Sequence, residues 1–238
     1  WPEPAAQHAD RQKQRPMARI PALTGADVLV TGGTGFIGRH LLKRLLEKPR
    51  RVRVLTRSEP PQELLSNDQV EFVVGDLGDP QTVDRAVAGE KIVYHLGAAM
   101  KGPAEDFERA TELGTQHIVE AVLRQKNARL VHISSLSVLH SSLARAGDII
   151  DESWPLEPHA ERRGSYTLYK LRAEQIVSAA VRDRGLQAII IRPGQVFGSG
   201  AELLTPAVAR RIGSRFIVLG DGSVPLPLIY VEDLVDAL

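Results

Sequence analysis

The 238-residue sequence contains no cysteine. This absence excludes a disulfide framework, a thiolate zinc site and a cysteine nucleophile. No apolar run approaches the roughly 20 residues that span a bilayer, and no secretory signal is visible in the sequence. We therefore expect a cytoplasmic protein with no membrane partner.

The sequence also has little excess charge, since 30 Lys and Arg residues face 29 Asp and Glu residues. No polybasic surface typical of nucleic-acid binding is evident, so we expect a small-molecule substrate and no nucleic-acid partner. The length suits one α/β domain, or a domain and a fragment, and is sufficient to bury a sizeable core.

Residues 1–25 contain four prolines among polar and basic residues, which predicts a linker or a leftover from expression. The alternative is a basic arm that binds a nucleic acid or another partner, but no aromatic residues are interleaved for stacking. The sequence starts at Trp1 and stops at Leu238 within a helical pattern. We therefore expect an expressed fragment or an excised domain rather than a whole protein.

The most informative stretch is TGGTGFIG at residues 31–38, which follows an apolar run, 28–30, and precedes a helical pattern, 39–47. A strand, a glycine-rich turn and a helix in this order form a phosphate-binding turn. The turn's glycines permit close approach of a pyrophosphate, and the helix start offers free N–H groups to it. The alternative is a tight turn before a helix with no ligand. The predicted contacts within this turn are Gly32, Gly35, Phe36, Ile37 and Gly38.

Strand-like and helix-like stretches alternate through the chain as far as Val138. This alternation predicts an α/β fold, a doubly wound parallel sheet with helices on both faces, and ligands at the carboxyl ends of the strands. The predicted strands after the first are 52–55, 70–74, 92–96 and 130–133. The predicted helices after the first are 81–88, with Asp79-Pro80 as its start signal, 107–124, and one that begins at Tyr166.

The residues that directly follow the predicted strands are candidate cofactor contacts. After the second strand, Thr56 and Arg57 stand where an acidic residue would bind the ribose of NAD, which favours NADP over NAD. The alternative for Arg57 is a surface arginine in a basic loop. After the third strand, Asp76 can accept a hydrogen bond from adenine while Leu77 packs on the ring, or Asp76 can cap a helix.

The later strands bring small and catalytic residue types to the same edge. Gly97, Ala98 and Ala99 would let the backbone pass close to a cofactor, although small residues also serve packing alone. A serine pair, 134–135, ends the fifth strand. Tyr166 and Lys170 lie four residues apart on one helix face. We expect the ammonium to lower the pKa of the phenol, which makes it a usable general acid or base.

Together these motifs resemble the extended short-chain dehydrogenases/reductases of the NAD-dependent epimerase/dehydratase kind. The matching segments span residues 27–238 and are TGGTGFIG, GDL at 75–77, HLGAA at 95–99, SSLSV at 134–138, YTLYK at 166–170, IRPGQVFG at 191–198 and IYVEDLVDAL at 229–238. The resemblance implies a Rossmann-like fold and a catalytic trio of Ser135, Tyr166 and Lys170. It also implies that Lys170 binds the nicotinamide ribose, and that Pro193 to Val196 lie beside the nicotinamide.

The sequence departs from the family pattern in several places. Thr111 replaces an Asn that can relay protons to the lysine, and Leu136-Ser137 replace the Asp-Glu pair of the 4,6-dehydratases, which argues against dehydratase chemistry. We interpret the histidines, among them His95 and His132, as structural, with no metal site. Tyr169 is expected on a different helix face from Tyr166.

The resemblance divides the chain into a dinucleotide-binding domain, 26–192, and the start of a substrate-binding part, 193–238, which also returns elements to the core. The second part is truncated if the natural chain continues past Leu238. It offers Arg210, Arg211 and Arg215 for a substrate diphosphate, or as a solvated helix face, and a turn at 220–222. The loop before Tyr166 carries carboxylates that border the substrate entrance or face solvent: Asp148, Asp151, Glu152 and Glu157.

Three functional hypotheses follow. The first is an NADP-dependent oxidoreductase or epimerase, with NAD as the alternative cofactor, that acts on a hydroxyl or carbonyl carbon of a nucleotide sugar. The second is a reductase or dehydrogenase of a sterol-like or other apolar carbonyl compound, which the absence of Val-Tyr-Gly after the serine strand keeps open. The third is a sensor or scaffold that binds the dinucleotide without turnover. A homodimer is expected.

Overall fold

A computed structural model of the chain describes residues 28–145, 147–201, 209–213, 215–218 and 226–238. The predicted linker and the predicted turn at 220–222 lie outside these residues. The central feature is a six-stranded sheet. Its strands are β1 (Val28–Thr31), β2 (Val52–Thr56), β3 (Val70–Val74), β4 (Ile92–His95), β5 (Arg129–Ile133) and β6 (Ala188–Ile191).

The strand order is β3-β2-β1-β4-β5-β6, and every neighbouring pair is parallel. The chain runs outward from β1 to β3 and then returns to the other side of β1 with β4. The carboxyl ends of β1 and β4 therefore border a topological switch point, where such sheets bind ligands. The predicted doubly wound, Rossmann-like parallel sheet is confirmed, whereas β6 was not predicted as a strand.

Helices cover both faces of this sheet. They are α1 (Phe36–Leu46), α2 (Gln62–Leu65), α3 (Pro80–Val87), α4 (Ala104–Phe107), α5 (Gly114–Arg124), α6 (Ser165–Arg184) and α7 (Val231–Ala237). One apolar cluster joins the sheet to α3, α5 and α6, and includes Leu29, Val83 and Ile118. A second cluster on the opposite face joins it to α1 and α7. All four residues of β1 are buried, as expected for a parallel strand covered on both faces.

Helix α3 begins where the sequence predicts. The Asp79 side chain accepts hydrogen bonds from the backbone N–H groups of Gln81 (3.1 Å) and Thr82 (3.3 Å), and Pro80 occupies the first helical position. Asp79 therefore satisfies donors that a helix start leaves unpaired.

The long helix predicted at 107–124 has a different internal structure. A π-helical segment, Glu108–Leu113, lies between α4 and α5. Such segments are rare and occur frequently at functional sites. Here the segment brings the Thr111 hydroxyl to 3.0 Å from the backbone N–H of Ala99, which donates to it.

The C-terminal part contains two small sheets. Strand β7 (Gln195–Phe197) pairs in parallel with β10 (Leu228–Tyr230), and β8 (Ala209–Ile212) forms an antiparallel hairpin with β9 (Arg215–Val218). The solvated helix face considered for Arg210 and Arg211 is therefore wrong, because both residues lie in a strand. Helix α7 packs against α1, and Val235 lies in the same apolar cluster as Leu41. The division of the chain at residue 192 stays a prediction.

Candidate active site

An open groove of about 370 Å³ runs along the carboxyl ends of the strands. Nine of the predicted cofactor contacts line it: Gly32, Gly35, Phe36, Ile37, Gly38, Arg57, Leu77, Gly97 and Ala98. The groove thus lies at the switch point, where the fold predicts a ligand. Five other predicted contacts are not among its lining residues: Asp76, Ala99, Lys170, Pro193 and Val196.

The glycine turn is closed by backbone contacts. Gly32 has a φ of +71°, and its carbonyl accepts a hydrogen bond from the N–H of Gly35 at 3.0 Å. A Cβ at Gly38 would lie 2.2 Å from the Gly32 oxygen and 2.6 Å from the Gly33 Cα. No side chain fits between helix and turn at this position, so glycine is needed to bring the first turn of α1 close to the groove.

A buried hydroxyl fixes the opposite wall of the groove. The side chain of Thr31, at the end of β1, accepts a hydrogen bond from the N–H of Gly97 at 3.0 Å and contacts His95 Nδ1 at 2.8 Å. Leu77 packs beneath Gly97. These contacts hold the backbone of 97–98 at the groove surface.

The groove rim after β2 is cationic. Thr56 is buried and its hydroxyl donates to the Ser58 carbonyl at 3.1 Å, which turns the chain beyond the strand. Arg57 is exposed on the groove. The arrangement leaves a guanidinium, rather than a carboxylate, beside the groove.

Asp76 has local partners in this structure. Its carboxylate accepts hydrogen bonds from the Gly78 N–H and from the Arg109 guanidinium, both at 2.7 Å. The alternative that Asp76 caps a helix is wrong, because Asp79 caps α3. Its contact with adenine stays a prediction.

The predicted catalytic residues meet at the far end of the groove. Ile133 lines the groove, and its carbonyl accepts a hydrogen bond from the Lys170 ammonium at 2.7 Å. Ser135 follows two residues later, and its Oγ accepts from the Ser137 N–H at 3.1 Å. Ser135 also lies near Tyr166, since hydrogen bonding to it lowers the pKa of the phenol. The structure therefore brings Ser135, Tyr166 and Lys170 together beside the groove.

The electrostatics of Tyr166 differ from the expectation. Burial raises the pKa of its phenol above the ordinary value of about 10, and hydrogen bonding with Ser135 only partly opposes this. The expected lowering by Lys170 is wrong for this structure. The ammonium is engaged by the Ile133 carbonyl, and burial lowers the pKa of Lys170 itself to about 8.

Two histidines lie beneath this end of the groove. His95 contacts Thr31 with one ring nitrogen and the Thr115 hydroxyl (2.9 Å) with the other, and burial lowers its pKa to about 3. His132 pairs with His95 across neighbouring strands, and their ring centroids are 5.4 Å apart. Burial also holds the pKa of His132 well below its ordinary value. Both imidazoles are therefore neutral near pH 7.

Helix α6 is fixed to the sheet by a buried ion pair that the sequence analysis missed. Glu174 is fully buried, and both its oxygens accept hydrogen bonds from Arg192, the shortest at 2.7 Å. Glu174 lies one turn beyond Lys170, and Arg192 directly follows β6. The available signal for this ion pair was a glutamate four residues after Lys170, and therefore on the same helix face as the lysine.

The placement of Tyr169 corrects another expectation. Its ring stacks on Phe107 with centroids 6.1 Å apart, in a cluster against which Tyr166 also packs. The prediction of different helix faces for Tyr166 and Tyr169 is wrong, because residues three apart are neighbours on a helix.

The loop before α6 has its own ordered contacts. Glu157 is buried, and its pKa is lowered because it accepts hydrogen bonds from the His159 N–H and the Arg163 guanidinium. The Trp154 indole donates to the His140 carbonyl at 3.1 Å. Glu157 is therefore a structural anchor, whereas Asp148, Asp151 and Glu152 are exposed.

Sequence reasoning also missed several lining residues of the groove: Thr34 within the glycine turn, Ala110 in the π-helical segment, and Leu55, Met100 and Ile133. For Leu55, Met100 and Ile133, a position at or just after a predicted strand end was the available signal. Within the described residues, no group of three His, Asp or Glu side chains could hold a metal ion.

The six-stranded order, the glycine turn and the groove define a dinucleotide-binding α/β protein. The sequence model described as "NAD dependent epimerase/dehydratase family" matches residues 28–238. The chain belongs to this family, and the family resemblance read from its motifs is confirmed. Its sequence and fold are of the extended short-chain dehydrogenase/reductase type.

Relatives with known activities illustrate the range of the family. The chain is 32% identical over 210 residues to a 2-alkyl-3-oxoalkanoate reductase of Stenotrophomonas maltophilia, covering 87% of this chain and 62% of that protein. It is 29% identical over 224 residues to a sterol-4-alpha-carboxylate 3-dehydrogenase of Candida albicans, covering 88% and 62%. The chain thus spans less than two thirds of the length of these relatives.

A solved structure supports the fold assignment. The UDP-glucose 4-epimerase of Thermus thermophilus, determined in complex with NAD, matches with a TM-score of 0.70 and 24% identity over 89% of this chain and 72% of that one. In the described part of the chain, none of the helices has the length and apolar character required to cross a bilayer.

Proposed function

We propose that the chain carries an NADP-preferring oxidoreductase site that interconverts a ketone and a secondary alcohol on an apolar substrate. The junction at Ile133 carries the proposal. Ile133 lines the dinucleotide groove, and its carbonyl accepts a hydrogen bond from Lys170. The groove therefore ends beside Ser135 and Tyr166. A cofactor in the groove would then reach the trio with its reactive end.

The residues present fit a dinucleotide. Side chains are excluded where Gly38 meets Gly32, which exposes the N-terminal N–H groups of α1 to a pyrophosphate. We assign the pyrophosphate to the glycine turn and the adenine end to Leu77, Asp76 and Gly97. We further assign the nicotinamide end to Ala98, Ala99, Lys170, Pro193 and Val196.

Arg57 supports a preference for NADP. The exposed guanidinium stands on the groove after β2, where a carboxylate would favour the free ribose hydroxyls of NAD. Guanidinium groups bind phosphate oxygens in charge-assisted pairs. NAD is the alternative cofactor.

The trio supplies the proton chemistry. When bound, the reduced cofactor supplies a hydride to the carbonyl carbon of the substrate. Ser135 orients the carbonyl oxygen with its hydroxyl, and Tyr166 donates the proton that completes the alcohol. The raised pKa of Tyr166 keeps the phenol protonated, so it is a ready acid in the direction of ketone reduction. Lys170, held by the Ile133 carbonyl at the groove, would bind the nicotinamide ribose.

An apolar substrate is favoured by apolar side chains on the groove and next to Ser135 in sequence, and by the relatives. Met100 lines the groove with 70% of its surface exposed, and Leu136 adjoins Ser135. The two curated relatives are named for the reduction of an oxoalkanoate and the oxidation of a sterol. A nucleotide sugar is the second candidate, favoured by the exposed Arg215 at the start of β9.

A substrate panel tests this proposal. Long-chain 3-oxo esters, 3-ketosteroids and nucleotide sugars are each incubated with NADPH or NADH and followed by absorbance at the reduced-nicotinamide band and by chromatography. We expect NADPH oxidation with apolar ketones. Epimerised nucleotide sugars without net oxidation would support the second candidate, and cofactor binding without any turnover would support a sensor or scaffold.

We also propose a homodimer in the cytoplasm. Exposed apolar side chains on neighbouring helical segments, Leu113 and Val181, are candidate contacts between subunits. Light scattering on the purified protein distinguishes a dimer from a monomer.

A further inference from the structure

A histidine on α1 joins three segments that are distant in sequence. The His40 Nδ1 atom lies 2.7 Å from Oε1 of Glu232, in the first turn of α7, and its Nε2 atom lies 2.9 Å from the Ser199 carbonyl oxygen. His40, Glu232 and Ser199 thus form a clasp that connects α1, α7 and loop 198–200, which directly follows β7.

Both contacts of the His40 ring require a proton. An ionised carboxylate and a backbone carbonyl only accept hydrogen bonds, whereas a neutral imidazole has a single N–H to donate. Only the imidazolium can therefore donate to Glu232 and to Ser199 at the same time. Histidine is the side chain that ordinarily gains or loses this proton between pH 5 and pH 8.

Loss of the proton should release the loop rather than α7. The N–H that faces Glu232 is retained, because a hydrogen bond to a carboxylate is roughly twice as strong as one between neutral groups. The unprotonated Nε2 then presents a lone pair to the Ser199 carbonyl oxygen, 2.9 Å away. Two acceptors at this distance repel each other, so the loop loses its hydrogen bond to α1.

Loop 198–200 has no large side chain with which to bury itself, since it consists of two glycines and a serine. Gly198 (φ +148°) packs on the start of α7, where an added Cβ would lie 2.5 Å from Val231 Cγ1. Gly200 (φ +88°) faces α1, where an added Cβ would lie 3.9 Å from Phe36 Cδ2. The position of the loop on α1 therefore depends strongly on the hydrogen bond from His40.

The clasp lies next to the dinucleotide groove. Phe36 is the first residue of α1 and lines the groove, and its ring meets the His40 ring edge to face with centroids 5.5 Å apart. Strand β7, which leads into the loop, contains Val196, assigned above to the nicotinamide end. The loop thus contacts or continues from residues at both ends of the cofactor site.

Charged groups occur on both helices that pack against His40. They are Arg39, Lys43 and Arg44 of α1, and Glu232, Asp233 and Asp236 of α7. Arg44 and Asp236 pair with each other at 2.8 Å, whereas Glu232 is the charged group in direct contact with the ring.

We propose that His40 is a proton-dependent clasp that holds loop 198–200 on the first turns of α1 and thereby slows release of the cofactor. The part that concerns the cofactor rests on the proposed function. The clasped state binds the proton, so acid favours it, and the clasp is lost as the pH rises and the imidazolium deprotonates.

Amide exchange of Ala201 tests the clasp in the protein without cofactor. The Ala201 N–H donates to the Gly198 carbonyl at 3.1 Å, so its protection reports whether the loop is in place. Exchange is measured by NMR on ¹⁵N-labelled protein and corrected for the intrinsic rate. Protection should fall by about 2- to 10-fold between about pH 6 and about pH 8.5, which is the change expected from the loss of one hydrogen bond.

Two variants of His40 separate the proton from the side chain. In His40→Gln the amide donor does not titrate, so protection should no longer depend on pH. His40→Leu lacks a donor and should show low protection at both pH values. His159→Gln is the matched control, because it removes an exposed imidazole that lies 3.6 Å from Glu161, and it should retain the pH dependence of the parent protein.

Protection that does not change with pH in the parent protein, or the same pH dependence in His40→Gln, would overturn the clasp. Stopped-flow displacement of bound NADPH tests the link to the cofactor. The ratio of dissociation rates at about pH 8.5 and about pH 6 should be about 2 to 10 times larger in the parent protein than in His40→Gln. The phosphate of the cofactor titrates alike in both proteins, so the comparison isolates His40.

Equal ratios in the two proteins would overturn the effect on cofactor release, even where the loop responds to pH. Failure of the parent protein to bind either NADPH or NADH would instead refute the proposed function. The exchange measurement needs no cofactor, so failure of the clasp and failure of the proposed function are distinguishable.

Discussion

The two ends of the groove are built on different principles. The glycine end, residues 31–38, is a contiguous segment in which backbone meets backbone, and the fit depends on the absence of side chains. The tyrosine end, formed by Ser135, Tyr166 and Lys170, is assembled from β5 and α6 and depends on buried polar contacts. Substitutions should therefore act through steric clash at the first end and through protons and charge at the second.

The largest effect is expected at the tyrosine end. Tyr166→Phe keeps the ring and removes the proton donor, so turnover should fall by about 10²–10⁴-fold while cofactor affinity stays nearly unchanged. Steady-state kinetics with a substrate from the panel and calorimetry with NADPH measure the two quantities.

Tyr169→Phe is the control for that experiment. Its ring packs on Phe107 in the same cluster, so the substitution tests whether loss of a neighbouring hydroxyl is enough to impair the site. Turnover near that of the parent protein is expected. An equal loss in both variants would show that the cluster, rather than the Tyr166 proton, matters.

At the glycine end, Gly38→Ala should weaken cofactor binding severely and destabilise the fold by about 2–4 kcal/mol. The added Cβ would overlap the Gly32 carbonyl, and overpacking typically costs 1–3 kcal/mol or somewhat more. Gly35→Ala places its Cβ 3.2 Å from the same oxygen and should affect stability less. Denaturant unfolding and calorimetry compare the pair, and equal losses of stability would contradict the steric account.

The ion pair that anchors α6 provides a third comparison. Glu174→Gln leaves Arg192 without its buried carboxylate partner and should lower the free energy of unfolding by about 2–4 kcal/mol. Glu120→Gln breaks an exposed pair with Arg184 on the surface of α5 and α6, and should cost less than about 1 kcal/mol. Urea unfolding measures both, and similar values would remove the distinction between buried and exposed pairs.

Cofactor choice should depend on Arg57. Arg57→Ala should weaken NADP binding by about ten- to a hundredfold, the equivalent of about 1.4–2.8 kcal/mol, and leave NAD binding unchanged. Calorimetry with both cofactors checks this. Equal affinities of the parent protein for NADP and NAD would reject the assigned phosphate contact.

The smallest predicted effect is a pH dependence of stability at Lys170. Its pKa is about 8 in the folded chain and near 10.5 in the unfolded chain, so the unfolded state binds more protons between these values. Stability from this group therefore rises with pH across that window. Lys170→Met has no ammonium to titrate at this position. Its free energy of unfolding relative to that of the parent protein should therefore fall by about 1–2 kcal/mol between pH 8 and pH 10. A constant difference in urea unfolding would contradict the burial of the ammonium.

The glycine end was predictable because its determinants are adjacent in sequence. Alternating apolar stretches fix the strands, and the glycine spacing in 31–38 fixes the turn, so the parallel sheet follows from local patterns. The order of the strands did not follow from those patterns alone. The π-helical segment at 108–113 was missed because its sequence follows ordinary helical spacing. The β8–β9 hairpin was missed although a Gly-Ser pair, 213–214, separates its strands in the sequence.

The tyrosine end was predictable in its residues but not in its electrostatics. The spacing of Tyr166 and Lys170 indicates that both side chains share a helix face, yet it does not show how deeply each is buried. Burial raises the pKa of Tyr166, where the sequence analysis expected a lower pKa, and the Lys170 ammonium donates to a backbone carbonyl. Contacts between distant segments, such as Thr31 with His95, depend on strand register, which single-sequence patterns do not fix.

A crystal structure with NADPH bound tests the central claim most directly, namely that one groove joins the glycine end to the tyrosine end. The account predicts the pyrophosphate on the first turn of α1 at Gly35–Gly38 and the nicotinamide ring beside Ser135, Tyr166 and Lys170. A cofactor bound outside the groove, or one whose nicotinamide lies away from Tyr166, would contradict it.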